Sequence, residues 1–270
     1  MPGRLAVVLP PRARETLVRF LPGQVDQATA SGVVVGLSGG VDSALAASLA
    51  AEGLGPERVH AFSLPDENTP PALRSEVKEF AAHLGIPLRE VSLEPWFAAL
   101  GKDLPELSDR TGGGNARARL RMIALYAHAR AHQALVLGTG NKSEILLGYF
   151  TKFGDGGADL LPLGDLYKTA VYALSRDVGL PSGILARPPS AGLYPGQTDE
   201  EELGEPYATL DPILRGLEEL CEPEAIAREL KLPLPRVLAV ARRVDANRHK
   251  RRLPPIPKLG LRTVGLDWRD

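Results

Sequence analysis

Val33-Val34-Val35-Gly36-Leu37-Ser38-Gly39-Gly40-Val41-Asp42-Ser43-Ala44-Leu45 is the stretch that decides how this chain folds. Its opening run is apolar and β-branched, the composition of a strand buried on both faces of a parallel sheet. Ser38, Gly39 and Gly40 break that run, and Ala44, Leu45, Ala46, Leu49 and Ala50 continue as a helix. The stretch therefore reads as strand, glycine turn and helix N-terminus. Such a turn aims backbone N–H groups and the positive end of a helix at one point, an arrangement that suits a phosphate. Glycines let the backbone come close to a ligand, and Ser38 and Ser43 add hydroxyl donors.

Several chemistries compete for this turn. A Walker A loop is excluded, because the Gly-Lys-Ser/Thr ending is missing. Gly36-Leu37-Ser38-Gly39-Gly40 fits the G-x-S-x-G elbow of serine hydrolases, although an elbow normally follows several strands and an oxyanion loop, and Ser38 stands early in the chain. Ser38 to Ser43 also matches, at every fixed position, the Ser-Gly-Gly-x-Asp-Ser loop that grips a pyrophosphate. That loop resembles the one in the ATP pyrophosphatase ligases, which cleave ATP to AMP and pyrophosphate. The plainest alternative is an ordinary strand–helix turn with Asp42 or Ser43 as helix cap.

Outward from this turn the chain alternates strands and helices. A lead-in helix over 11–31 precedes a strand at 32–37 and a helix at 42–53. Further strands are expected at 58–63, 87–92 and 134–138, with helices at 72–84, 95–100, 115–132 and 143–149. The pattern predicts an α/β fold, a parallel twisted sheet with helices on both faces. Ligands then sit at the C-terminal strand ends, where the loops at 38–43, 64–71 and 138–144 fall. Residues 102–114 read as a mobile polar loop. Past residue 150 come a Gly/Asp loop, a helix at 166–178 and a long aperiodic segment, 181–206, read as a substrate cover. Added C-terminal helices follow near 206–220, 223–231 and 234–248. The whole is expected to be one domain, with the core sheet over about 30–180 and a helical part over about 205–250.

The chain has 270 residues and a net charge of −1, which gives no sign of a nucleic-acid binder. Its single cysteine, Cys221, excludes an internal disulfide and a cysteine zinc cluster. No run reaches the length of a membrane span, and Met1-Pro2-Gly3-Arg4 has no signal-peptide pattern. A soluble, cytoplasmic protein is expected.

Asp42 and Glu144 each follow a strand, so in a parallel sheet their carboxylates emerge on one edge. Two carboxylates plus phosphate oxygens suit Mg²⁺; capping and helix-dipole roles are the alternatives. Arg117, Arg119 and Arg121 crowd the expected start of a helix, where cations oppose the macrodipole unless an anion or nearby carboxylates answer them. Lys152, Asp155, Asp159, Asp165 and Lys168 surround the Gly-rich loop. Lys168 could neutralise ATP phosphates as a bond breaks, and Asp159 could accept from a ribose or amide. Asp155 and Asp165 are read as surface charge, His249-Lys250-Arg251-Arg252 as a solvated tail, and His60, His83, His128 and His132 as structural or surface histidines.

Taken together, these segments resemble the NAD synthetases. Asn115-Ala116-Arg117-Ala118-Arg119-Leu120-Arg121-Met122 is similar to their arginine helix. Gly138-Thr139-Gly140-Asn141-Lys142-Ser143-Glu144 is similar to their second ATP and metal segment. Thr151 to Asp159, then Pro162-Leu163 and Lys168, are similar to their substrate loop. Pro189-Ser190-Ala191-Gly192-Leu193 with Gly196-Gln197-Thr198-Asp199-Glu200 and Leu203-Gly204 matches a late segment, and His249-Lys250-Arg251 a tail. Many bacterial members have an acidic–His–Ala type of sequence where this chain has Gly140-Asn141-Lys142, a form that also occurs in the family. The resemblance implies a Rossmann-like fold of the adenine nucleotide alpha-hydrolase type. It implies that Gly36, Leu37, Ser38, Gly39, Gly40, Val41, Asp42 and Ser43, with Thr139, Lys168 and Ser190, bind ATP, and that Asp42 and Glu144 hold Mg²⁺. Asp42 and Lys168 are the expected catalytic pair. Arg119, Lys152, Asp159, His249 and Lys250 would contact deamido-NAD. It further implies a homodimer and, with no room for a glutaminase domain, free ammonia as nitrogen donor.

Overall fold

A computed structural model describes residues 3–190, 192, 196–264 and 267. Ala191 and Leu193, two residues of the late segment, lie outside the described residues. Helix α1, Ala13–Gln27, leads into strand β1, Val33–Gly36, and helix α2, Val41–Leu54. Then come β2, Val59–Ser63, α3, Pro71–Leu84, β3, Leu88–Glu90, and α4, Glu94–Asp103. Helix α5, Arg110–Ala131, precedes β4, Leu135–Leu137, and α6, Lys142–Leu147. The rest is helical: α7, Lys168–Val178, α8, Ser182–Leu185, α9, Asp199–Leu203, α10, Tyr207–Glu218, α11, Pro223–Leu230, and α12, Leu234–Ala246.

The four strands form one parallel sheet in the order β3-β2-β1-β4, with Val33 opposite both Val59 and Leu135. From β1 the chain builds outward to β2 and β3, then crosses to β4 on the other side. The order therefore reverses at β1, and a crevice opens at the C-terminal ends of β1 and β4. Alternate strand residues serve opposite faces. Val33, Val35, Val59, Ala61 and Leu137 pack with α1, α2, α3 and α7. Val34, Phe62 and Val136 pack on Leu120, Met122, Ala124, Leu125 and Ala129 of α5. A separate apolar cluster joins α10, α11 and α12 to Leu147 and Tyr167, with Cys221 packed at its border. No helix among the described residues is long and apolar enough to cross a membrane.

Three expectations need correction. Residues 102–114 are not a loop: α4 runs to Asp103, a 3₁₀ turn covers Pro105–Ser108, and α5 begins at Arg110. Asp109 caps α5 by accepting from the Gly112 N–H at 2.7 Å. Gly113 belongs in this helix because a Cβ there would lie 2.6 Å from the Leu107 carbonyl oxygen. Arg117, Arg119 and Arg121 therefore stand beyond the first helical turn, clear of the strongest dipole conflict. In the 181–206 segment, α8 and α9 interrupt what looked aperiodic, and Thr198 caps α9 by accepting from the Glu201 N–H. Half of the basic tail is docked rather than solvated: Lys250 and Arg251 reach into the protein, while His249 and Arg252 stay exposed. Lys250 Nζ donates to the carbonyls of Gly148 at 2.7 Å and Phe150 at 3.0 Å. Arg251 donates to the Leu146 carbonyl at 2.7 Å, beside the end of α6, where a cation answers the unpaired carbonyls.

Candidate active site

The turn after β1 is closed by its own serines. Ser43 Oγ accepts from the Ser38 N–H at 3.2 Å, donates to the Gly40 carbonyl at 3.0 Å and lies 3.1 Å from Ser38 Oγ. Ser38 Oγ in turn accepts from the Gly40 N–H at 3.3 Å. The first N–H groups of α2, at Val41, Asp42 and Ser43, have no helical carbonyl to bond and face the end of the sheet, a ready anion site. Gly39 has φ +81°, a left-handed conformation that suits glycine. Gly39→Ala is expected to strain this turn by about 1–3 kcal/mol and to weaken about tenfold the ATP binding that the resemblance implies here. ATP titration of the purified variant measures the second effect; unchanged affinity would show that the turn does not need its left-handed residue.

Below the turn, charges converge. Lys168 Nζ, whose side chain is 3% exposed, donates to Asp42 Oδ2 at 2.5 Å and to Glu144 Oε1 at 3.2 Å. Asn141 Nδ2 donates to the other Asp42 oxygen at 2.9 Å. Asn141 also caps α6 reciprocally with Glu144, a capping box at the end of β4. The residue at the cap of α2 is Gly40, so Asp42 and Ser43 are not its caps. The Glu144 carboxyl is raised to about 8: burial raises it most, the Lys168 ammonium offsets part of this, and the Asp42 carboxylate adds to it. Burial alone would lower the Lys168 ammonium, but Asp42 and then Glu144 hold it above its ordinary value.

This cluster is the floor of a cavity of about 580 Å³ lined by residues from the ends of β1, β2 and β4, a volume within the range of small-molecule sites. Gly36, Leu37, Ser38, Gly40, Val41, Asp42, Ser43, Thr139, Glu144, Lys168, Ser190 and Lys250 all line it. Gly39 turns its face to a small recess beside Arg187 instead. No histidine is among the described lining residues, so Ser38 has no triad-like base and the hydrolase elbow loses its support.

Arg119, Lys152, Asp159 and His249 are not brought into this cavity. The first two and His249 sit together outside it: Arg119 donates to the Lys152 carbonyl at 3.3 Å, and Lys152 Nζ to the His249 carbonyl at 2.7 Å. Asp159 accepts from Tyr126 OH at 3.0 Å and the Val136 N–H at 2.7 Å, along the outer edge of β4, where Leu160 bridges to Leu137. Asp155, read as surface charge, instead lines the cavity and accepts from the Thr151 N–H at 2.8 Å. Arg121 bonds Asp66 at 2.7 Å and Arg117 bonds Glu67 at 2.7 Å, so carboxylates of the β2–α3 loop answer both cations.

Two buried carboxylates were given no role in the sequence reading. Asp211, fully buried, accepts from Ser143 Oγ at 2.6 Å and from both the N–H and Oγ1 of Thr169 at 2.8 Å. Ser143 Oγ also accepts the Lys168 N–H at 2.9 Å, so Asp211 fixes the start of α7 and with it Lys168. Its signal was an acid on the apolar face of α10, between Leu210 and Ile213. Asp199, 3% exposed, faces the cavity and accepts from Tyr207 OH at 3.1 Å, while its Oδ1 has no partner among the described residues.

Comparison with known proteins agrees with this fold. The family model described as NAD synthase matches residues 13–254. An NH(3)-dependent NAD(+) synthetase of Methanosarcina acetivorans is 45% identical over 251 residues, covering 92% of this chain and 98% of the relative. The solved structure of an NMN synthetase from Francisella tularensis superposes with TM-score 0.80 at 37% identity, covering 92% of this chain and 98% of that one. An NH3-dependent NAD synthetase from Campylobacter jejuni, solved with a nitrate ion, gives TM-score 0.76 at 29% identity over 94% of this chain and all of its own. With the serine-closed turn, the strand reversal and these relatives all in agreement, the chain belongs to the NAD synthase family.

Proposed function

We propose that this chain amidates deamido-NAD with ammonia at the expense of ATP, giving NAD, AMP and pyrophosphate. The observation that carries the reading is the Asp42–Lys168–Glu144 cluster directly below the serine-closed turn. A nicotinate carboxylate oxygen attacks the α-phosphorus of ATP. The bond from that phosphorus to the α–β bridging oxygen breaks, and pyrophosphate leaves with the electron pair into the Ser38–Ser43 turn. Ammonia then attacks the acyl carbon of the adenylate, AMP leaves with the carbon–oxygen bond pair, and one proton passes to solvent. No side-chain nucleophile is required; the protein positions the reactants and stabilises charge. Lys168 places its ammonium where negative charge grows on the leaving oxygens. Thr139 and Ser190 complete the nucleotide wall.

Mg²⁺ fits the donors present. Two hard oxygen ligands, Asp42 and Glu144, converge with one lysine between them, and burial first, then the Asp42 carboxylate, hold Glu144 above its ordinary value against the pull of Lys168. Held by these two carboxylates, Mg²⁺ would supply the Lewis acid that shields the triphosphate. Lys250 would meet deamido-NAD at the cavity wall, and Arg119, Lys152, Asp159 and His249 would bind its second nucleotide at the outer surface. Exposed Phe153, Ile123 and Tyr126 lie on the elements that carry these residues, which suits a homodimer with the dinucleotide partly against the partner. The protein is proposed to act in the cytoplasm.

A second reading rests on the NMN synthetase likeness: the acid could be nicotinate mononucleotide. That smaller substrate would leave Arg119, Lys152 and His249 without a role. The test supplies ATP, Mg²⁺ and ammonium with either acid and follows the amide product, AMP and pyrophosphate. NAD from deamido-NAD with stoichiometric AMP is expected. ADP and orthophosphate as products, or preference for the mononucleotide, would overturn the proposal.

A further inference from the structure

Three histidines read as scattered in the sequence meet in space. His60 lies on β2, His128 in the last turn of α5, and His132 at the cap of that helix. Each presents a ring nitrogen within 4.8 Å of those of the other two. The ring centroids of His128 and His132 are 4.0 Å apart, those of His60 and His132 4.7 Å, and those of His60 and His128 5.6 Å. His128 and His132 are one helical turn apart, the spacing at which paired histidines on a helix face grip zinc. His60 supplies the third donor from the adjoining strand.

From this arrangement we propose that His60, His128 and His132 form a binding site for a late first-row divalent cation, of which Zn²⁺ is the foremost case. Three imidazoles are a ligand set for such metals and a poor one for Mg²⁺, which prefers oxygen. Metal–nitrogen bonds of about 2.0–2.1 Å put tetrahedral ligand nitrogens about 3.4 Å apart. The three ring nitrogens already lie within 4.8 Å of one another, and His132 is exposed to solvent. The site is separate from the nucleotide cavity. His60 lies toward the N-terminal end of β2, whereas Phe62, Ser63 and Leu64 at its other end line the cavity. Burial first, and then neighbouring imidazoles, hold His60 and His128 below their ordinary value, with Arg89 adding to the effect on His128. Neutral rings with free lone pairs are thus the resting form near neutral pH. A bound ion would clip the end of α5 to β2.

The full-length protein, stripped with EDTA and kept in excess Mg²⁺, is titrated with Co²⁺ by visible absorption and with Zn²⁺ by calorimetry. One equivalent is expected, with the ligand-field bands of a nitrogen-rich site. His128→Gln and His132→Gln should each weaken binding at least about tenfold with circular dichroism unchanged, and Asp42→Ala should leave it intact. The proposal is overturned if no equivalent binds, if both glutamine variants bind as the parent does, or if Asp42→Ala abolishes binding. The last result would assign the ion to the carboxylate floor of the cavity. The first two would leave the histidines as a stacked aromatic cluster.

Discussion

Asp42→Ala is expected to lower AMP formation about a thousandfold while leaving the protein folded. The substitution removes one proposed Mg²⁺ donor and the acceptor shared by Lys168 and Asn141. The fold survives because the pair that remains is better matched. Lys168 keeps Glu144, 3.2 Å away, and Glu144 loses the neighbouring carboxylate that helped to raise it. The check is AMP release under saturating ATP, read beside a urea unfolding curve. Near-normal turnover in a folded variant would remove the metal and charge-positioning role assigned to this residue.

Lys168→Met separates activity from stability in the opposite sense. Turnover should fall by a similar factor, about a thousandfold, because the cation beside the leaving phosphates is gone. Here the protein should also lose about 3–5 kcal/mol, because a buried ion cluster is left with its carboxylates uncompensated. The sign with pH follows from Glu144. Its carboxyl is already raised by burial, and loss of the lysine raises it further. A folded-state value above the unfolded one contributes stability that disappears as pH rises through it. The parent's Glu144 ionises as pH rises through about 8, whereas the variant's stays protonated to higher pH and goes on losing stability, so the deficit should be larger at pH 9 than at pH 7. Mg²⁺ should restore part of the stability and little of the activity. Equal stability of the variant and the parent at pH 8 without Mg²⁺ would mean that the cluster is not held together by this lysine.

The two variants share a cavity floor but differ in what was readable beforehand. Asp42 and Glu144 were expected on one sheet edge because each directly follows a strand of a parallel sheet, and topology carries such residues to the same end. Lys168 was singled out, yet its place between them depends on Asp211, a residue 43 positions further on. Likewise Arg117 and Arg121 called for an anion or nearby carboxylates without showing which, and the fold answers them with Asp66 and Glu67 from a distant loop. Residues 102–114 were misread because their glycines suggested mobility, whereas Gly113 serves close packing against Leu107.

Contiguous patterns were sufficient for the parallel α/β sheet, the glycine turn after β1 and the sheet edge on which the cavity opens. Each depends on alternation, backbone conformation and helix polarity within a few neighbouring residues. Whether separate charges meet was settled in three dimensions. Asn141 on Asp42, Asp211 beneath Lys168, the exclusion of Arg119, Lys152 and His249 from the cavity, and the gathering of His60, His128 and His132 all join residues far apart in the chain. Such contacts form only after helices and strands have packed, because the packing that fixes their distances is non-local and leaves no periodic trace in the order of residues.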